Sequence, residues 1–276
     1  MAEIAFIGFG EAAAALLHDL GIPAAAFDLR FSDTKARAAA ARSHPQLQLC
    51  DQAGGAAAGA GIIFSLVTAE QAVNAANSIG PLQGSPIYLD ANSCSPAAKR
   101  EAAAIMRKFG ARYVDLAVMA PVSRGIRRIP MLASGPHAGD AVRWLRHHGL
   151  QASELEGRIG TAAAVKLLRS IVVKGLQTLL AEASLAARSE SIEDAWLASL
   201  EETWPGMGWA QLSETAHIRM RQHGRRRAEE MRQSAEMLRA LDLPDIMAKS
   251  IAEWQDLLEE SDLQDALRYL PEQSAR

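Results

Sequence analysis

The chain has 276 residues, 49% hydrophobic and 22% charged, with a formal net charge of -3. That length supports one or two domains with ample core, and the near-balance of charge removes any global electrostatic case for nucleic acid. Two cysteines, Cys50 and Cys94, leave neither a disulfide framework nor a zinc spacing, and no stretch approaches the roughly 20 apolar residues of a membrane span. A strand begins within three residues of the N-terminus, leaving no room for a signal peptide, so the expectation is a cytoplasmic protein without metal, nucleic-acid or membrane partner.

Residues 4–7 form an apolar strand that runs into Gly8-Phe9-Gly10-Glu11-Ala12-Ala13, a G-x-G-x-x-A turn. In a dinucleotide-binding unit the first glycine makes the tight turn, the second lets backbone approach a pyrophosphate, and the small third residue lets the helix pack on its strand. The helix N-terminus then offers free N–H groups and a positive dipole end to phosphate. A second apolar stretch ends at Asp28, twenty residues beyond Gly8, where a carboxylate can accept bonds from the adenosine ribose. Asp28 would repel a 2′-phosphate and favours NAD, while Arg30 could compensate and admit NADP.

Further strands are predicted at 23–27, 62–67, 86–90, 112–116 and 129–134, alternating with helices at 11–19, 33–42, 69–78, 96–109 and 138–148. This is the pattern of a parallel sheet with helices on both faces. Ligands of such sheets lie outside the carboxyl ends of the strands. Val67 and Thr68 close one strand there, and Asp90 to Pro96 leave another, bringing Asn92 and Ser93 towards a nicotinamide and a substrate. Ser95 followed by Pro96 fits a helix cap, and Cys94, with no histidine near it in sequence, fits packing.

After the Glu156 to Gly160 break the strand signals stop and helix follows helix. The expected architecture is therefore α/β: a Rossmann doubly wound sheet over 1–158, then an all-α substrate and dimerisation domain over 159–276. The helix from Thr161 places Lys166, Ser170 and Lys174 at i, i+4 and i+8 among strongly apolar neighbours, so it should be mostly buried. Its lysines either face a polar cavity, where burial lowers an ammonium pKa towards a usable acid or base, or snorkel to the surface. His223 and Arg226, in a basic run from Arg219 to Arg227, could grip an anionic substrate or pair with Glu229 and Glu230 at a solvated surface.

The glycine turn, Asp28, Leu66-Val67-Thr68, the Asp90 to Pro96 turn and Tyr113 to Val118 together resemble the β-hydroxyacid dehydrogenase superfamily. That superfamily includes 3-hydroxyisobutyrate and 6-phosphogluconate dehydrogenases and is related to imine reductases. It carries a G-x-G-x-x-x-K-x-x-x-N motif whose lysine is the catalytic acid/base, and Gly160 to Ser170 match it with Lys166 retained. Three positions differ: the second glycine is Ala162, the asparagine is Ser170, and the usual Ser-Gly-Gly after the fifth strand is Met119-Ala120-Pro121. Pro121 has no N–H for a substrate carboxylate. The segments Glu202 to Met207 and His223 to Met231 resemble the helical domain that follows phosphogluconate-dehydrogenase-like NAD-binding domains.

The resemblance implies an NAD(P)-dependent oxidoreductase acting on a small hydroxyacid or related polar alcohol, and a homodimer formed through the helical domains. It implies a catalytic set of Lys166, Ser170, Asn92 and Ser93. The cofactor set is Gly8, Phe9, Gly10, Glu11, Ala12, Asp28, Arg30, Val67, Thr68 and Asn92. Ser93, Met119, Lys174, His223 and Arg226 would contact substrate. An imine reductase on the same scaffold and a non-catalytic dinucleotide-binding sensor are the alternatives.

Overall fold

The computed structural model describes residues 2–122 and 125–257 and divides into two compact units, after Lys166. The N-terminal unit holds an eight-stranded sheet: β1 (Ile4–Ile7), β2 (Ala24–Phe27), β3 (Leu47–Leu49), β4 (Ile62–Ser65), β5 (Ile87–Asp90), β6 (Arg112–Val118), β7 (Met131–Ser134) and β8 (Ala152–Glu154). Their order is β3-β2-β1-β4-β5-β6-β7-β8, parallel except for the antiparallel β6–β7 pair. The chain leaves β1 towards β2 and β3, then crosses back to β4 on the other side of β1. That reversal makes β1/β4 the switch point of a doubly wound fold, where ligands enter.

Helices α1 (Glu11–Leu20), α2 (Thr34–Ser43), α3 (Ala53–Ala57), α4 (Ala72–Asn77), α5 (Pro96–Lys108) and α6 (Ala138–His147) connect the strands. Alternate strand residues build a core on each face of the sheet. Ile4 and Phe6 pack with Leu16 and Leu17, whereas Ala5 and Ile7 pack with Ile63, Tyr88 and Met106. Each such large side chain contributes about 1.5–3 kcal/mol by burial. Sequence patterning misses β3, β8 and α3. The strands are too short to show a period, and α3 contains Gly54-Gly55, a poor helix former. The helix expected at 69–78 is a 3₁₀ turn at Ala69–Gln71 followed by α4.

Helix α7 (Thr161–Ser189) leaves the sheet unit and runs on into the second, which adds α8 (Glu193–Thr203), α9 (Trp209–Arg239) and α10 (Ile246–Leu257). Ala228, Met231 and Ala235 of α9 pack on Ala248, Ile251 and Ala252 of α10. A kink at His223, φ -143° and ψ 23°, interrupts α9. The apolar α7 is less buried than its composition predicts: Val165, Leu168, Val172 and Leu179 are 37%, 50%, 70% and 55% exposed. Their 3-4-7 spacing keeps them on one stripe. Among the described residues no helix is long and apolar enough to cross a membrane.

Gly8 adopts φ +85°, and a Cβ there would lie 2.5 Å from the Leu66 carbonyl oxygen and 2.7 Å from Val67 Cγ1. Glycine is thus required by both backbone conformation and the close approach of β1 to the β4 exit. Gly8→Ala is expected to cost about 2 kcal/mol or more, read as a lower midpoint in urea denaturation.

Candidate active site

The turn after β1 ends at Gly10, the N-terminal boundary residue of α1, which supplies no side-chain cap. A Cβ built on Gly10 meets nothing within 4 Å. The first-turn N–H groups of a helix have no intrahelical acceptors, so Glu11 and Ala12 place open backbone donors beside the switch point. Open space over an uncapped helix N-terminus fits a pyrophosphate.

Asp28, at the exit of β2, is already engaged. One carboxylate oxygen accepts the Arg30 backbone N–H at 2.9 Å and Arg30 Nε at 3.0 Å. The other accepts the Phe9 N–H at 2.7 Å and the second Arg30 terminal nitrogen at 3.0 Å. That same nitrogen also donates to the Phe9 carbonyl at 2.8 Å. Burial acts to raise the Asp28 pKa, but the bonds from Arg30 and Phe9 outweigh it and hold the carboxyl below its ordinary range. A carboxylate has about four acceptor positions, so a ribose hydroxyl must compete with Arg30 for this one.

At the carboxyl edge of β4 and β5, Asn92 ties the two strand exits together. Its carbonyl oxygen accepts the Val67 N–H at 2.7 Å and its amide donates to Ser65 Oγ at 2.9 Å. Asn92 is buried, while Thr68 is exposed and Ser93 partly so. Lys166 Nζ donates to Ser93 Oγ at 2.6 Å, which brings together two residues 73 positions apart that the sequence had proposed for chemistry. Ser95 caps α5 through the Ala98 N–H, as expected. Burial pushes the Cys94 thiol up to about 12, which makes it a poor nucleophile.

Below this edge lies a cluster that sequence reasoning did not single out. Lys99, Asp90 and Asp115 are all fully buried. Lys99 Nζ donates to the Asp90 carbonyl at 2.6 Å and to Asp90 Oδ1 at 2.8 Å, and pairs with Asp115 Oδ1 at 3.4 Å. Tyr113 donates its hydroxyl to Asp90 Oδ2 at 2.6 Å. Asp115 Oδ2 accepts from Ser134 Oγ, Gly160 N and Ala163 N at 3.0, 3.1 and 3.0 Å, and Ser134 Oγ accepts from Ala162 N at 3.0 Å. Burial alone would lower the Lys99 pKa, but the two carboxylates outweigh it and hold the ammonium above its ordinary range. One signal was legible: Lys99 sits with Ala102, Ala103 and Met106 on the buried stripe of α5, an unusual place for a lysine.

The remaining candidates are carried by other elements. Met119 follows β6, its N–H bonded to the Pro130 carbonyl at 3.0 Å. In the second unit Lys174 is buried and paired with Glu230, and also donates to Ser170 Oγ at 3.2 Å. Burial pulls the Lys174 ammonium below its ordinary range against the attraction of Glu230, with Arg227 and Arg226 adding to the lowering. His223 and Arg226 are exposed on α9. Arg227 instead turns inward to the side-chain oxygens of Gln255 and Gln177 at 2.7 and 2.5 Å. Among the described residues no group of three or more His, Cys, Asp or Glu is placed to hold a metal.

Residues 3–130 match the NAD binding domain of 6-phosphogluconate dehydrogenase, and residues 187–258 match DUF1932, a domain of unknown function. A conserved hypothetical protein from Sinorhizobium meliloti 1021 is 32% identical, covering 93% of this chain and 88% of its own, with a TM-score of 0.77. This chain belongs to the family that joins those two domains. MTH1747, a conserved protein of unknown function whose structure is described as similar to 3-hydroxyacid dehydrogenases, is 28% identical over 95% of this chain and 98% of its own, with a TM-score of 0.74. A Mycobacterium tuberculosis 3-hydroxyisobutyrate dehydrogenase shares the fold at 17% identity, over 97% and 99% of the two chains, with a TM-score of 0.76. The N-terminal unit of this family member is thus a Rossmann NAD(P)-binding domain of the 6-phosphogluconate dehydrogenase type.

Replacing Lys99 by the neutral, similarly shaped methionine would leave two buried carboxylates without their cation. Lys99→Met is expected to destabilise the protein by about 3–5 kcal/mol, measured by urea denaturation followed by circular dichroism.

Proposed function

We propose that this protein is an NAD(P)-dependent dehydrogenase that oxidises a small hydroxyacid or related polar alcohol, or reduces the matching carbonyl, with Lys166 as acid/base. The reading is carried by one observation: Lys166 Nζ holds a hydroxyl oxygen, that of Ser93, at 2.6 Å on the sheet edge where the nucleotide turn also opens. A substrate hydroxyl in the same reach would give its proton to the neutral amine during oxidation and recover it from the ammonium during reduction. The bound nicotinamide would accept or supply the hydride. Ser93 would orient the substrate oxygen, Asn92 would keep the β4 and β5 exits in register, and Ser170 and Lys174 would extend the polar stripe of α7.

Retention of Lys166 favours alcohol over imine chemistry. The exposed Arg226 guanidinium, with the exposed His223 three residues before it, suits an anionic substrate. The exposed stripe Val165, Leu168, Val172 and Leu179 supports a homodimer that covers it. Lys166→Ala is expected to lower turnover by about 10²–10⁴-fold with the cofactor Kd unchanged, when NADH and NADPH oxidation are followed against a panel of hydroxyacids and their carbonyl counterparts. Turnover at the wild-type rate in that variant would exclude the lysine mechanism.

Cofactor choice follows from the Asp28–Arg30 pair. With the Asp28 oxygens occupied and its charge matched by Arg30, the carboxylate repels a 2′-phosphate less than an isolated one would. Arg30, 64% exposed in its side chain, retains donors for that phosphate. Both cofactors are therefore expected to bind, NADP through Arg30. In fluorescence titrations Arg30→Ala should weaken NADPH binding by about tenfold or more and leave NADH binding equal or tighter, because Asp28 is freed for the ribose.

A further inference from the structure

The two partners of the Lys166–Ser93 contact come from different parts of the chain, and one buried ammonium is hydrogen-bonded to the support of one and ion-paired with the support of the other. On one side, Lys99 fixes the carbonyl and carboxylate of Asp90, the last residue of β5. Asp90 Oδ1 also accepts the Asn92 N–H at 3.0 Å, so the turn carrying Ser93 is tied down at its first residues. On the other side, Lys99 pairs with Asp115, whose second oxygen binds the start of α7.

That helix start has no cap of its own. Gly160, whose carbonyl accepts the Ala164 N–H at 2.9 Å, has no side chain to cap it. A Cβ there would lie 2.9 Å from Pro96 Cβ, because α7 begins hard against the first residue of α5. Three of the orphan donors near the first turn are satisfied from distant parts of the chain instead. Asp115 Oδ2 takes Gly160 N and Ala163 N, Ser134 Oγ takes Ala162 N, and the Arg158 carbonyl takes Thr161 N at 3.1 Å. Lys166 follows six residues after Gly160, about 9 Å further along the helix axis.

We infer that Lys99, Asp115 and Ser134 are positioning residues for Lys166: they set the rotation and depth of the first two turns of α7 against the Ser93 turn, and thereby hold the Lys166 amine at its hydroxyl partner. Calling Lys166 the acid/base rests on the function proposed above; the positioning itself is a property of the folded chain. The cluster holds one ammonium and two carboxylates, a net single negative charge. Its Asp115 end faces the positive end of the α7 dipole, and its Asp90 end accepts the Tyr113 hydroxyl. A relay of this kind uses a rigid shell to hold a reacting group within a fraction of an ångström.

The test is competitive trace acetylation of the full-length protein with acetic anhydride, with the rate at Lys166 read by peptide mass spectrometry against the exposed Lys35. Ser134→Ala removes one acceptor from the α7 start and one donor from Asp115 while leaving Lys99 and both carboxylates in place. Lys166 acetylation relative to Lys35 is expected to rise about fivefold in Ser134→Ala, the factor associated with losing a helix cap, and to return to the wild-type value in Ser134→Thr. Lys99→Met should raise it further; if that variant does not fold, the Ser134 pair decides alone. A Ser134→Ala protein that is less stable but acetylated at Lys166 at the wild-type rate would reduce the cluster to a structural role and overturn the inference. The readout needs neither substrate nor cofactor. A failure of the dehydrogenase reading, seen as unimpaired turnover in Lys166→Ala, is therefore distinguishable from a failure of the positioning reading.

Discussion

The carboxyl edge of the sheet depends on a fully buried ammonium, Lys99, between two fully buried carboxylates. Taking three charges out of water is tolerable only if every remaining lone pair and proton finds a partner. Here nearly all of them do: Asp90 takes Lys99, Tyr113 and the Asn92 N–H, and Asp115 takes Ser134 and the α7 start. Buried ion pairs are often no more stabilising than well-packed apolar residues of similar volume. What the ionic core adds is direction, because each bond fixes one strand exit or helix end at one orientation.

The nucleotide end of the domain works by the opposite means. No side chain caps α1, and the Gly8 turn is held by close backbone approach to β4, leaving donors open where charge is expected to arrive. Filling donors at α7 and leaving them open at α1 separates a helix used as a scaffold from one suited to bind phosphate. Asp28 stands between these cases. Its oxygens are satisfied by Arg30 and Phe9, so a ribose hydroxyl at this carboxylate would exchange one set of bonds for another.

The second unit repeats the use of buried polar groups with a different balance. Lys174 has the carboxylate of Glu230, whereas Arg227 is met by the neutral side-chain oxygens of Gln177 and Gln255. These bonds link α7, α9 and α10 beside the small apolar cluster of Met231 and Ile251. The bonding of Ser170 to Lys174 places that serine in this network. Asp115 and Ser134 bind the first turn of α7 to the sheet.

Much of the fold was legible in sequence because its signals are local. Gly8, Gly10 and Ala13 fix a strand-turn-helix, alternating apolar runs fix the parallel strands, and Ser95-Pro96 fixes the start of α5. Lys166 stood out in the sequence through helical spacing together with family resemblance, since a lysine on an apolar helix needs a reason. The rest depended on long-range pairing. Asp115 and Gly160 are 45 positions apart, Lys166 and Ser93 are 73, and no periodicity or propensity encodes which buried donor meets which acceptor. The same holds for Asp28, whose twenty-residue spacing from Gly8 is that of a ribose ligand in dinucleotide-binding units while saying nothing of the Arg30 fork folded onto it. Sequence by itself determined most of the longer elements and the chemistry available at their ends. Only the tertiary structure decided which charges are matched and which exposed, because burial and partnership belong to the packed chain and not to any one segment of it.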